Sequence, residues 1–195
     1  MFILLISVSC RDRSEVVVPI PYDLCTDGDL VFRRGLSFSS QVVLQSDRKS
    51  GYSHVGILVK DSLGEWQVIH AVPGEADEVD GKELMKKEPL SLFWQSDRAS
   101  AGAIVRFPLS DSLRGHIAEK SQELFQRKLL FDHRYNHHDS SQMYCTELIC
   151  FVYQSVNVNL TENRSHSIPG YRKSVIFPSD ILQNCQLETI FQFGN

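Results

Sequence analysis

Two short apolar segments separated by a turn predict a β-hairpin in the first half of the chain. Residues 55–59, Val-Gly-Ile-Leu-Val, have the apolar and β-branched content of a buried strand, and residues 66–70, Trp-Gln-Val-Ile-His, are typical of its return strand. Residues 61–64 supply the turn. His54 precedes the first segment and His70 ends the second. Because the turn lies about midway between the two histidines, we expect the hairpin to bring them side by side.

The rest of the chain predicts an α+β domain in which an antiparallel sheet packs against helices. Because the strands pair mostly in sequence and two helices are longer, the arrangement favours this fold class. Further strands are expected at 30–32 and 103–107, helices at 38–44, 110–128 and 146–156, a short helix from Pro178, a surface helix or an insertion at 81–87, and loops at 131–143 and 157–173.

Length and charge restrict the class of protein. A chain of 195 residues suits one domain, which we place at 27–195. The formal net charge of −4 gives no electrostatic reason to expect a nucleic acid partner.

The N-terminus predicts a targeting segment. An apolar run from Phe2 to Val8 ends at Ser9-Cys10, a pattern that suits a signal peptide whose cysteine becomes a lipidated N-terminus in a bacterial lipoprotein. We therefore expect residues 1–10 to form a signal or lipoprotein segment and 11–26 an exposed tether. The protein would then be anchored at the cell envelope through Cys10. The alternative is a disordered or strand-forming tail, with a cytoplasmic protein.

The five cysteines do not form a disulfide framework. If Cys10 carries lipid and Cys145 is a free nucleophile, three cysteines remain, and an odd number cannot all form disulfides with one another. Cys150 falls in an apolar helix and is interpreted as a small core residue. Cys25 and Cys185 are left as a pair that an oxidising compartment would allow.

Cys145 is the candidate nucleophile. It stands where a turn leads into a helix, and the positive end of a helix dipole is expected to lower the pKa of a thiol there. A cysteine nucleophile also needs a base and a third group that orients the base. His54 and His70 can supply these two roles if their strands are adjacent.

Four separated motifs resemble the circularly permuted branch of the NlpC-type papain-like cysteine peptidases, and within it the YiiX-like permuted amidases. The histidine hairpin also resembles lecithin:retinol acyltransferase and its relatives. In the permuted branch the histidine precedes the cysteine, as it does here. The motifs are Gly28-Asp29-Leu30-Val31-Phe32, Ser53-His54-Val55-Gly56-Ile57, Val68-Ile69-His70-Ala71 and Tyr144-Cys145-Thr146-Glu147-Leu148.

The resemblance implies a permuted papain-like fold and a role for each matching residue. Cys145 matches the nucleophile, His54 the general base and His70 the polar residue that orients His54. Residues 131–132, Phe-Asp, fall where the permuted amidases tend to have Tyr-Asp. Asp132, Tyr135 and Tyr144 are therefore candidate substrate-binding residues.

Three functions remain open from the sequence. The first is a cysteine hydrolase that cleaves an amide or ester bond through a thioester, acting on cell-envelope peptides. The second is a thiol-dependent acyltransferase or a lipid-acting or lipid-binding envelope protein. The third is a non-catalytic binding module of the same fold.

No cofactor is expected, and no metal site. Two sets of side chains are of types that can bind zinc. They are His133, His137, His138 and Asp139, and His54, His70 and Cys145. Nothing in the spacing of either set fixes the geometry of a metal site.

Overall fold

The computed structural model describes residues 18–75, 81–135, 141–167 and 174–194. Its central element is an antiparallel sheet of strands β1 (Leu30–Gly35), β2 (His54–Lys60), β3 (Trp66–His70), β4 (Lys86–Pro89), β5 (Ala99–Arg106) and β10 (Glu188–Phe193). Their order across the sheet is β10-β5-β1-β2-β3-β4. Two short pairs lie outside this sheet, β6 (Leu130–Phe131) with β7 (Gln142–Met143) and β8 (His166–Ser167) with β9 (Ser174–Val175).

The sheet has one apolar core on each face. Successive side chains of a strand point to opposite faces, so Leu30 and Phe32 enter one core and Val31 the other. Helices α3 (Asp111–Gln126) and α4 (Cys145–Gln154) cover the first face, where Ile117 and Leu148 are buried. The four-residue α2 (Leu90–Phe93) packs on the second face. The remaining helices are α1 (Phe38–Ser46), α5 (Pro178–Leu182) and a 3-10 turn at Tyr22–Leu24.

These elements confirm the α+β class and the predicted hairpin. Strands β2 and β3 pair antiparallel, with Ile57 opposite Ile69 and Leu58 opposite Val68. Helix α4 packs against β2, so the start of the helix lies close to the start of that strand. This packing positions the candidate site.

Of the two alternatives for 81–87, a surface helix or an insertion, the helix is wrong. Lys86 begins β4, and Lys86 and Glu88 lie opposite His70 and Val68 at the sheet edge. Both charged residues are buried, which is rare for a strand. The polar sequence Lys-Lys-Glu-Pro therefore gives no local signal for a strand. The strand is stabilised by its pairing with β3.

The described part of the predicted tether is packed on the domain. Val18 and Ile20 lie against the second core, and Cys25 is buried in it. The suggested pairing of Cys25 with Cys185 is wrong, because both are free thiols and Cys185 is exposed. Cys150 is partly buried and packs against the first core.

The loop prediction for 157–173 extends past the described residues, since 168–173 lie outside them. Within the described residues, no helix combines the length and the apolar content needed to cross a bilayer.

Candidate active site

Cys145 is the first residue of α4, and local hydrogen bonds fix this helix start. The backbone N–H of Tyr144 donates to Glu147 Oε2 at 3.3 Å, so the Glu147 carboxylate satisfies a donor at the helix N-terminus. Thr146 Oγ1 donates to the carbonyl of Ile176 at 2.7 Å, and the N–H of Ile176 donates to the Tyr144 hydroxyl at 3.2 Å. The residues on both sides of Cys145 are therefore tied to the same neighbouring residue.

Burial favours the protonated form of the Cys145 thiol. It raises the pKa of Cys145 to about 11, against the opposing effect of the backbone N–H groups of Val55, Thr146 and Cys145 and of the Arg33 charge. The N–H groups of Cys145 and Thr146 at the helix start lower this pKa as expected, but the expected net lowering is wrong, because desolvation of the sulphur outweighs the donors that face it. The contact with Val55 places the sulphur beside the residue that follows His54.

His54 and His70 meet on the second face of the sheet. His54 Nε2 lies 2.9 Å from His70 Nδ1, and their rings are edge-on. Between them on the same face lies Gly56. A Cβ at Gly56 would lie 3.1 Å from His70 Cβ and 2.4 Å from Val68 Cγ1, so a side chain there would occupy the space of the hairpin partner. Glycine leaves room for the His70 ring to reach His54.

Glu88 lies on the far side of His70. Its Oε1 is 3.2 Å from His70 Nε2, a charge contact whose alignment falls short of a good hydrogen bond. Burial alone would raise the pKa of Glu88, but His70, Arg98 and Arg33 together hold it below its usual value. The lowered pKa favours the ionised form of Glu88, which can only accept a hydrogen bond from its histidine neighbour.

An ionised Glu88 favours one tautomer of each histidine. If His70 Nε2 carries the proton that faces Glu88, its Nδ1 is the acceptor, and His54 Nε2 must be the donor. His54 Nδ1 is then an unprotonated nitrogen. We use the term relay for this series of three side chains, His54, His70 and Glu88.

Further charged side chains surround the acidic end of the relay. Glu75 Oε1 accepts from Arg33 at 2.7 Å, and Arg98 contacts Glu75 Oε2 at 3.3 Å and Glu88 Oε2 at 2.9 Å. Lys86 lies 3.9 Å from Glu75. Three cations thus surround two carboxylates, and this excess of positive charge favours the ionised form of Glu88.

The same surroundings keep His54 neutral. Burial lowers the pKa of His54 well below its usual value, and the charges of Arg33 and His70 lower it further. The pKa of His70 is also lowered by burial, although Glu88 opposes the shift. The Phe93 ring contributes to this burial, with centroids 5.7 Å from His54 and 5.1 Å from His70, and the Arg33 guanidinium lies over it at 4.6 Å.

A narrow pocket reaches both Cys145 and His54. Its cavity volume is about 40 Å³, and its lining combines polar side chains with apolar and aromatic ones. The other polar lining residues are Arg33, Ser39, Ser40 and Ser53, and the apolar and aromatic ones are Val43, Val72, Pro73, Phe131, Tyr135 and Tyr144. A larger cavity of about 350 Å³ lies near Val18 and Trp94 and contains no residue of the relay.

The structure brings together most of the residues that the sequence singled out. Cys145, His54, Tyr135 and Tyr144 line the pocket, and His70 contacts His54 from outside it. Asp132 does not line the pocket. It is buried, and its Oδ1 accepts from the N–H of Arg134 at 2.7 Å.

Sequence reasoning missed Glu88, Glu75 and Arg33. Arg33 lies opposite His54 in the register of β1 and β2, and its inward direction on a strand was a usable signal. Glu88 comes two residues after Lys86, so the two side chains lie on the same face if this segment is a strand. That signal was available only once 86–89 was recognised as a strand.

The described residues contain no group of three or more His, Cys, Asp or Glu side chains arranged to hold a metal ion. His133 is exposed and contacts Glu83 Oε2 at 2.6 Å. His137, His138 and Asp139 lie outside the described residues. His54 and His70 are engaged with each other, so they and Cys145 are not gathered as ligands.

A cysteine at a helix start, a histidine on the adjoining strand and a chain order that places the histidine first define a papain-like thiol enzyme with a permuted chain. The sequence profile described as "Permuted papain-like amidase enzyme, YaeF/YiiX, C92 family" matches residues 24–190. The chain belongs to this family and is an enzyme of the cysteine peptidase and amidase type.

One solved structure similar to this chain is titled metalloprotein yiiX from Escherichia coli O157:H7. The two are 19% identical with a TM-score of 0.71, and the match covers 87% of this chain and 98% of that one. At this identity the likeness shows the fold alone, and it confirms the permuted papain-like fold. A search of curated proteins finds no match.

Proposed function

We propose that this protein is a cysteine hydrolase that cleaves an amide bond through a thioester at Cys145. The observation that carries the proposal is the relay, because it favours an unprotonated Nδ1 on His54, and His54 and Cys145 line the same pocket. His54 is then the general base, and His70 is the residue that orients it.

The resting protonation states favour general-base catalysis over a preformed ion pair. Burial raises the pKa of Cys145 to about 11 and lowers the pKa of His54, so burial favours the neutral thiol and the neutral imidazole before substrate binds. His54 accepts the thiol proton as sulphur attacks the carbonyl carbon. A carbon–sulphur bond forms, and the carbonyl oxygen becomes an oxyanion.

The remaining steps return the enzyme to its starting state. The backbone N–H at the start of α4 donates to the oxyanion. The tetrahedral intermediate collapses, the carbon–nitrogen bond breaks, and His54 gives its proton to the departing amine. Water then attacks the thioester with His54 as base. The carbon–sulphur bond breaks, the acid departs, and His54 returns the proton to the Cys145 sulphur.

The pocket lining suggests the kind of acyl group. Its apolar and aromatic side chains, including Phe131 and Tyr135, suit an aliphatic or aromatic group, and the small volume suits a slender one. Peptides of the cell envelope with such a group next to the scissile amide are the proposed substrates. Lipidation of Cys10 would hold the enzyme at the envelope, where these peptides occur.

Acylation of Cys145 by an activated ester tests the mechanism. Incubation with p-nitrophenyl butyrate should give a burst of nitrophenolate and a butyryl adduct on the Cys145 peptide, detected by mass spectrometry. Cys145→Ala should lose both, and His54→Gln should slow the burst. Cys185→Ala is the matched control, since Cys185 is also a free thiol but lies outside the pocket. A burst that persists in Cys145→Ala would exclude the proposed nucleophile.

Acyl transfer is the second candidate. The apolar and aromatic side chains in the pocket lining are the observation that favours it. A thioester can be resolved by an amine or a lipid hydroxyl as well as by water. Separate incubations with cell-wall peptides and with phospholipid, followed by intact-mass measurement, distinguish the two. An acyl adduct on Cys145 from phospholipid alone would contradict the peptide substrate.

A further inference from the structure

Helix α1 presents an apolar surface at the rim of the pocket. No residue of this helix is buried, although Ser39, Ser40 and Val43 line the pocket. Phe38 is 86% exposed, and the neighbouring Leu36 and Val42 are 46% and 48% exposed. Single exposed apolar residues are ordinary, but three neighbours that include an almost fully exposed phenylalanine are typical of an interaction site.

Basic residues flank this apolar surface. The exposed charged side chains between 34 and 49 are Arg34, Arg48 and Lys49. The acidic residue of that stretch, Asp47, is buried and accepts from the N–H of Ser179 at 3.0 Å. Asp97 is also exposed but lies outside this stretch. It precedes Arg98, whose carbonyl accepts a hydrogen bond from the backbone N–H of Leu36. The positive bias contrasts with the net charge of −4 of the whole chain.

The described chain begins close to the same region. Val18 shares a cavity with Ala99 and Ser100, and these two residues adjoin the strand end that leads into α1. Ala99 pairs with Gly35, and Ser100 Oγ donates to the Arg34 carbonyl at 3.4 Å.

This position is within reach of the proposed lipid anchor. Cys10 lies eight residues before Val18, and eight residues extend at most about 26–29 Å. A lipid attached to Cys10 would therefore stay within that distance of Val18.

We propose that α1 and its flanks dock on an anionic lipid bilayer, with Phe38 inserted among the acyl chains. We call Arg34, Leu36, Phe38, Val42, Arg48 and Lys49 the docking surface. Apolar side chains beside basic ones are the combination that binds the interface of a membrane with anionic headgroups. This inference goes beyond the proposed hydrolysis and does not depend on which bond is cleaved.

Charge also argues against a second copy of the chain as the occupant. In a two-fold contact the same patch meets itself, so the basic residues of one docking surface would face those of the other. Like charges in such a contact are repulsive, whereas an anionic bilayer is attractive to them.

Vesicle co-sedimentation of the full chain tests the proposal. The Cys10→Ser variant removes the acylation site, so that binding comes from the folded surface. Vesicles of phosphatidylglycerol with phosphatidylethanolamine should bind this protein, and vesicles of phosphatidylcholine alone should bind it at least tenfold less. Phe38→Ala should weaken binding about tenfold. Arg34→Gln should weaken binding about fivefold, because one basic residue near an anionic surface strengthens binding by about that factor.

The controls distinguish binding through the docking surface from nonspecific binding by exposed apolar or basic residues elsewhere. Leu63→Ala is the matched apolar control, because Leu63 is 84% exposed in the turn between β2 and β3, and Arg127→Gln is the charge control after α3. Both should bind like the parent protein. Absence of binding to anionic vesicles, or equal losses in Phe38→Ala and Leu63→Ala, would overturn the proposal. A dimer that Phe38→Ala dissociates would also overturn it.

The readout is independent of catalysis. Cys145→Ala should bind vesicles like the parent, since Cys145 is not part of the docking surface. A protein that hydrolyses its substrate but ignores vesicles refutes the docking surface alone, and a protein that binds vesicles but forms no adduct at Cys145 refutes the proposed function alone.

Discussion

His54 Nε2 and His70 Nδ1 lie 2.9 Å apart on neighbouring strands of one hairpin. The pairing of Ile57 with Ile69 sets this register, and the absence of a side chain at Gly56 leaves room for the second ring. Contact between the two imidazoles therefore depends on strand register and on a glycine, and not on either histidine alone.

Substitution of Gly56 by alanine should destabilise the protein and disrupt the relay. The new Cβ would lie 2.4 Å from Val68 Cγ1, inside a packed core, and such overpacking costs about 1–3 kcal/mol. Urea denaturation should give a lower free energy of unfolding. The control is Gly115→Ala in the middle of α3, where a Cβ meets no atom within 4 Å. That change should stabilise the protein by about 0.5–1 kcal/mol, because alanine is the better helix former.

The identity of residue 88 should affect turnover through His70. In Glu88→Gln the amide can present N–H groups to His70 Nε2, which removes the constraint on both histidine tautomers. We expect kcat to fall about 10- to 100-fold with a smaller change in KM, measured as the rate of adduct formation and release at Cys145.

Two further variants separate a positioning role from a structural one. Glu123→Gln changes an exposed carboxylate on α3 and should leave turnover unchanged. Glu88→Asp keeps the charge among Arg33 and Arg98 but withdraws it from His70, so it should fold and still lose turnover. Full turnover in a folded Glu88→Gln protein would contradict the proposed role.

Alkylation of Cys145 should be slow at neutral pH. A pKa near 11, compared with 9.0 for an unperturbed thiol, reduces the thiolate fraction roughly 100-fold. In a native sample treated with iodoacetamide, mass spectrometry should show Cys145 labelled more slowly than exposed Cys185 at pH 7. Labelling of Cys145 should accelerate as the pH approaches 11. Faster labelling of Cys145 than of Cys185 at pH 7 would point to a preformed thiolate.

Stability should decrease on acidification below about pH 6.5. The pKa of His54 and that of His70 are lowered on folding, so the unfolded chain binds protons that the native protein does not. The free energy of unfolding then falls as the pH drops from 6.5 toward the lowered values, with a slope of up to about 1.4 kcal/mol per pH unit for each histidine. His54→Gln should reduce this slope. Urea midpoints measured between neutral and acidic pH provide the test.

The sequence predicted the hairpin and the helix start better than the sheet edges. The apolar segment at 55–59 and the cysteine before an amphipathic helix are local signals, and the structure has both elements close to the predicted bounds. Strands β4 and β10 were missed. Lys86 and Glu88 have low strand propensity, and they form a strand only because β3 offers an unpaired edge and the charges compensate one another.

The sequence by itself determined the order of the chemical groups along the chain. Its motifs predicted which cysteine and histidines to consider and the fold that carries them, because hydrophobic periodicity and helix-start patterns are written in local sequence. Tertiary structure alone decided their chemical state. Burial raised the pKa of Cys145 and lowered that of His54, and a carboxylate from β4 approached His70 from a strand that no local pattern indicated. Desolvation and cross-strand contact depend on what surrounds a residue in space, and the neighbours in sequence do not specify that.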